Sequence, residues 1–79
     1  MGNETVTREI DARGSYCPGP MMELIRVIRS AQVGEVISVL STDQGSRRDI
    51  PKWVEKAKQE LVGIEPLDGY DRIIVRKIK

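Results

Sequence analysis

Seventy-nine residues, 39% hydrophobic and 32% charged, suffice for one modest core and not for two, so one domain spanning residues 1–79 is expected. Thirteen basic against twelve acidic residues leave a net charge of +1, and no global field draws the chain to nucleic acid or to an anionic membrane. One cysteine and no histidine exclude an intrachain disulfide, a C-x-x-C dithiol cycle, a Cys-His dyad and the usual zinc ligand sets, and favour a reducing, cytoplasmic setting.

The start of the chain has no charged-then-apolar leader pattern, and no apolar run nears the ~20 residues that span a bilayer. Residues 1–4 are expected to be disordered. Val6, Arg8 and Ile10 alternate with Thr5, Thr7 and Glu9, which predicts a short first strand at a sheet edge. Asp11 to Ser15 then read as a loop in which Gly14 is free to take a positive φ. A first helix is predicted over 18–32. Leu24, Ile25 and Ile28 form its apolar stripe, Met21 and Met22 are expected to join the core, the alternative being that one lines an adaptable apolar patch beside the cysteine, and Gly34 caps its end. Val36 to Leu40 is apolar on both alternating faces, as an interior strand requires.

Asp49 is the expected N-cap of a second helix, because that start puts Pro51 in the first turn, where a missing N–H costs nothing. Ile50, Trp53, Val54, Ala57 and Leu61 share its apolar stripe, and it is expected to end near Val62-Gly63. Ile64 to Leu67 reads as a third strand, placed at an edge by Pro66. Asp68-Gly69 is a turn signal, and Arg72 to Ile78 is a last, interior strand. The order βαβαββ gives an α+β, two-layer sandwich: a four-stranded mixed sheet with two helices on one face.

Cys17-Pro18-Gly19-Pro20 is the chemical centre of this pattern. Pro18 suits the first helical position, which puts Cys17 at the N-cap, facing backbone amides and the positive end of a helix dipole. A free cysteine has a pKa of about 8.5, and a helix N-terminus stabilises a nearby anion by about 0.3–1 kcal/mol, or about 2 when partly buried. That lowers the thiol by about one pKa unit. Pro18 and Pro20 carry no N–H, so Gly19, Met21 and Met22 are the amides left to support a thiolate. A lone cysteine is also a common core residue, and position alone does not decide between the two.

Together, Asp11, Gly14, Cys17-Pro18-Gly19-Pro20, Gly34, Asp43, Arg48-Asp49-Ile50-Pro51 and the terminal Ile74-Val75-Arg76-Lys77 resemble the TusA and SirA-like family of sulfur carriers. The likeness runs from the first strand to the C-terminus. It implies a fold similar to the C-terminal domain of translation initiation factor three, with sheet order 1-2-4-3 and the fourth strand antiparallel to the others. It also implies that Cys17 accepts a sulfane sulfur as a persulfide and passes it on, without cofactor or metal, as a carrier rather than a complete enzyme. Its implied partners are a sulfur-donor protein (a cysteine desulfurase, a rhodanese or a DsrE-like protein) and an acceptor, in tRNA thiolation, cofactor assembly or sulfur oxidation. Gly19 departs from relatives that carry an acidic or larger residue there.

Arg13, Arg47 and Arg48 are expected in loops that flank the sulfur, where they either dock a donor or acceptor and favour the anionic sulfur or belong to plain solvated loops. A monomer is expected. Two other readings stay open: an RNA-binding or regulatory module, suggested by the fold and by Arg72, Arg76, Lys77 and Lys79, and a redox-sensing thiol. Few aromatic residues and a charge near zero disfavour direct nucleic-acid binding.

Overall fold

A computed structural model of the chain describes residues 6–16 and 18–79; the expected disorder of residues 1–4 and the expected surroundings of the Cys17 thiol fall on positions outside the described residues. The elements are β1 (Arg8–Asp11), α1 (Gly19–Ser30), β2 (Val36–Ser41), α2 (Gln44–Lys56), β3 (Glu60–Leu67) and β4 (Tyr70–Arg76). Strands lie in the order β1-β2-β4-β3, with β1 parallel to β2 and β4 antiparallel to both of its neighbours. The expected two-layer α+β architecture, the order and the sense of β4 all hold.

The core follows from the period of each element. Ile37 and Val39 of β2 and Ile73 and Val75 of β4 point to the helices and meet Leu24 and Ile28 of α1 and Ile50 and Val54 of α2. Every residue of β2 is buried, as its two-faced apolar pattern predicts. On the face without helices, polar side chains lie across the strands. Arg72 bridges Glu9 (3.2 Å) and Glu65 (3.5 Å), and Ser38 Oγ donates to Glu9 Oε1 (3.1 Å). Beneath them Val36, Leu40 and Ile74 are each less than a tenth exposed. The stems of long charged side chains thus do part of the work of a third layer.

Both helices differ from expectation at their ends. The first helix ends at Ser30, with Ala31 as an extended C-cap, and Gly34 (φ +100°) shapes the turn into β2 rather than capping the helix. The carbonyls of Ile28 and Ala31 are instead capped by Lys77 Nζ, at 2.7 Å from each. The second helix starts at Gln44 with Asp43 as N-cap, so Asp49 is an interior residue and Pro51 lies well inside the helix. A proline there costs about 3 kcal/mol. Ile50 and Val54, on either side of it, are 0% and 2% exposed, and each such burial is worth about 1.5–3 kcal/mol. That burial holds Pro51 in the helix, and the early start is fixed by Ser46, which is fully buried and donates its N–H to Asp43 O and its Oγ to Asp43 Oδ2, each at 3.2 Å.

At its other end α2 stops at Lys56, earlier than Val62-Gly63. Gln59 N–H donates to Val54 O (3.0 Å) and Lys58 N–H to Glu55 O (3.1 Å), with Lys58 left-handed at φ 60°. This double bond pattern is a Schellman closure with lysine where glycine is usual. The residues released, Leu61 among them, lengthen β3, whose register shifts between Leu61 and Gly63. Leu61 is 38% exposed rather than on a helical stripe, and β4 begins at Tyr70, two residues before expectation, and ends at Arg76.

Candidate functional site

Parallel pairing of β1 with β2 puts the β1–α1 loop, the β2–α2 loop and the β3–β4 turn at the same end of the sheet. Ligand sites in open α/β sheets form at such carboxyl ends. The β1–α1 loop is fastened at several points. Ala12 N–H donates to Leu40 O (2.9 Å), Gly14 N–H to Thr42 Oγ1 (2.9 Å), and Ser15 N–H to Ala12 O (3.1 Å). Gly14 has φ +88°, a value that disfavours any side chain.

A tight turn leads into α1, in which Gly19 N–H donates to Tyr16 O at 2.7 Å. Pro18, not Cys17, takes the N-cap (φ −93°, ψ 12°), and Met22 N–H makes its bond to Pro18 O at 2.8 Å. The physical reason is that Pro20, rather than Pro18, fills the place in the first turn where an N–H is dispensable. Two of the three amides expected to support the thiolate, those of Gly19 and Met22, are therefore committed to carbonyls. A Cβ added at Gly19 would meet Ser15 Cβ at 3.5 Å, an ordinary contact. No neighbour demands glycine there; what favours it is local, the position before Pro20.

The two methionines separate. Met21 is half-buried and packs against the core, whereas Met22, expected in the core, is 58% exposed, as is Tyr16 at 78%. An exposed apolar pair thus flanks Cys17 in the chain. Trp53 is also only half-buried and packs at the core's margin.

Of the three arginines, Arg13 lies in the loop as expected, but its guanidinium is spent within the loop. Its Nε and Nη2 donate to Asp11 Oδ1 and Oδ2, both at 2.8 Å, and its face lies over the Tyr70 ring at 4.9 Å. The Arg13 side chain, with its backbone N–H, holds the Asp11 carboxyl at a pKa of about 2. Arg47 and Arg48 belong to α2 rather than to a loop, because that helix starts early. Arg47 lies 3.8 Å from Asp71 and lines a polar groove of about 340 Å³ with Thr42, Gln44 and Tyr70 at the same sheet end. Arg48 pairs with Asp49 at 3.4 Å. Thr42 and Tyr70, which tie the loops together, escaped the sequence reading; the available signal was that each stands at the end of a strand, beside a turn. Among the described residues, no cluster of acidic, cysteine or histidine side chains is arranged to hold a metal, and no helix is long and apolar enough to cross a membrane.

Four strands, two helices and a cysteine motif between the first strand and the first helix define a small α+β domain of the thiol-carrier type. The family profile described as Sulfurtransferase TusA matches residues 8–77. The chain belongs to that family of sulfur carriers. It is 39% identical over 75 residues to the sulfur carrier protein TusA of Pseudomonas syringae, covering 95% of this chain and 89% of that one. A provisionally named sulfur carrier of Archaeoglobus fulgidus is 54% identical over 70 residues, 89% of this chain and 96% of its own length. In fold, the chain is similar to the crystal structure of a SirA-like protein from Desulfitobacterium hafniense, with a TM-score of 0.80 at 23% identity, covering 92% of this chain and all of the other.

Proposed function

We propose that this chain, acting as one cytoplasmic domain, carries a single sulfane sulfur as a persulfide on Cys17 between a donor and an acceptor protein. In uptake, the Cys17 thiolate attacks the outer sulfur of a donor persulfide. The donor S–S bond breaks as the Cys17 S–S bond forms, the donor leaves as a thiolate, and the proton stays on the transferred sulfur. Thiosulfate serves in the same way, with sulfite as the leaving group. Delivery repeats the exchange with the acceptor's thiolate as nucleophile. Neither direction needs an external oxidant or reductant.

The observation that carries this reading is the placement of the motif's described residues. Pro20 is buried and anchors the start of α1, while Pro18 and the neighbouring Tyr16 are exposed on a loop fastened to the carboxyl end of the sheet and Met22 is exposed on the first turn of α1, which suits a sulfur that must be reached by two partners in turn. A cysteine desulfurase, a rhodanese or a DsrE-like protein fits the donor's chemistry. The rival RNA-binding reading loses its main support. Arg72 and Arg76 pair with Glu9, Glu65 and Glu60, and Lys77 caps α1, so three of the four C-terminal cations are engaged within the fold.

Incubation with a small-molecule persulfide or with thiosulfate, followed by intact mass measurement, tests the proposal. We expect one added sulfur atom, removed by reductant and absent in Cys17→Ser. Failure to load from every one of several donors would sink it.

A further inference from the structure

We propose that the groove between α1 and α2 receives an acidic segment of the partner protein that exchanges sulfur with Cys17. That the partner is a sulfur-exchanging protein rests on the carrier reading; the groove's preference for acidic peptide does not. Met21, Asp49, Lys52, Trp53 and Lys56 line it, and its volume is about 260 Å³. Met21 and half-buried Trp53 give it an apolar floor where they emerge from the core. Lys52 and Lys56, one helical turn apart, stand exposed on its rim.

Charge decides what fits. Among the described residues neither lysine makes an ion pair, whereas Asp49 is paired with Arg48. The imbalance extends to the whole layer. The two helices carry six basic and three acidic residues, and the rest of the chain seven and nine, so a net charge of +1 divides into +3 on the helices and −2 elsewhere. A segment that places carboxylates against the lysines and an apolar side chain on Trp53 satisfies both parts of the groove. Nucleic acid fits less well. Affinity for a phosphate backbone is built from many cation contacts, and here there are two, in a groove that the Asp49 carboxylate also lines.

Position gives the groove its use. Met21 is four residues from Cys17 in the chain, and four residues reach at most about 14 Å. A bound segment only a few residues longer than its contact with Trp53 therefore extends to the sulfur.

Trp53 is the only tryptophan, so its fluorescence reports on the groove directly. The Cys17→Ser protein is titrated with the octapeptide Asp-Glu-Leu-Asp-Glu-Leu-Asp-Glu, with its Lys-for-acid counterpart, and with a uridine oligonucleotide. We expect a saturable change with the acidic peptide alone, weakened by salt. Lys52→Glu with Lys56→Glu should raise its Kd by about tenfold. Arg26→Glu with Arg29→Glu, on another face of α1, should leave it within about twofold, which separates the groove from general charge attraction. No saturable response, an equal response to the basic peptide, tighter binding of the oligonucleotide, or indifference to the lysine substitutions would each overturn the proposal. Because binding is read without the thiol, it is scored apart from sulfur loading of the parent protein, and the two readings fail separately.

Discussion

Asp11 and Arg13 form a clasp two residues wide, and its chemistry makes the loop that carries the sulfur sensitive to acid. The Asp11 carboxyl titrates at about 2 in the fold against 3.8 for a free side chain. A carboxylate with a lowered folded pKa contributes stability that is present above its unfolded value and is lost as pH falls through the folded one. Acid unfolding of the parent should therefore steepen between pH 3.8 and about 2 relative to Asp11→Asn, and the Asp11 carboxyl should titrate near pH 2 by NMR. A midpoint near 4 would show that the clasp does not form. The start of α1 was legible in the sequence to within a residue or two, because Pro18 and Pro20 confine it, but its cap was not: Pro18 takes the place expected for Cys17. The use of Arg13 was not. A cation two residues from a carboxylate looks the same in sequence whether it faces a partner or its own loop, and Tyr70, which fixes the choice, comes from 57 residues further along the chain.

Element boundaries show which forces sequence patterns miss. Pro51 argued for a late start of α2, and the argument was sound as local chemistry, but Ile50 and Val54 lie on the core face whichever residue begins the helix. At the far end, continuation through Leu61 rested on its place in an apolar stripe. The Schellman closure at Lys58 ends the helix with a residue that pays about 1–2 kcal/mol for its left-handed backbone. Lys58→Gly should relieve that strain, less glycine's greater loss of chain freedom, and raise stability by about 1 kcal/mol, or about 4–8 °C in Tm. An unchanged or lower Tm would contradict the assignment. The first helix offers the reverse case, a cap supplied by a side chain 46 residues from Ala31. Lys77→Met keeps the stem and removes the charged donor, and should cost about 1–3 kcal/mol in urea unfolding. No local pattern marks Lys77 as a cap, since it reads as one more cation in a basic tail.

At the scale of the molecule, the sheet order followed from the family resemblance, and two residue signals agreed with it: Pro66 marks an edge, and the centre of β4 is too apolar for one. Ile73, fully buried at that centre, is the sharpest test of the shared core. Ile73→Ala should cost about 2–5 kcal/mol. A fold of this size holds roughly 4–12 kcal/mol in total, so the loss should be read as a clearly lowered urea midpoint by circular dichroism. A loss below about 1 kcal/mol would mean that β4 is not interior. The same strand sets the timetable of synthesis. It pairs with β2 across 30 to 40 residues of chain and also supplies the only neighbour of β3. A nascent chain that has released β1, α1, β2, α2 and β3 from the ribosome still lacks the strand that joins β3 to β2, and Ile37 and Val39 stay uncovered on one flank until it arrives. The cysteine motif is translated early, but the sheet beneath the helices is complete only when residue 76 is free, so a half-made chain presents the motif without the fold that holds it.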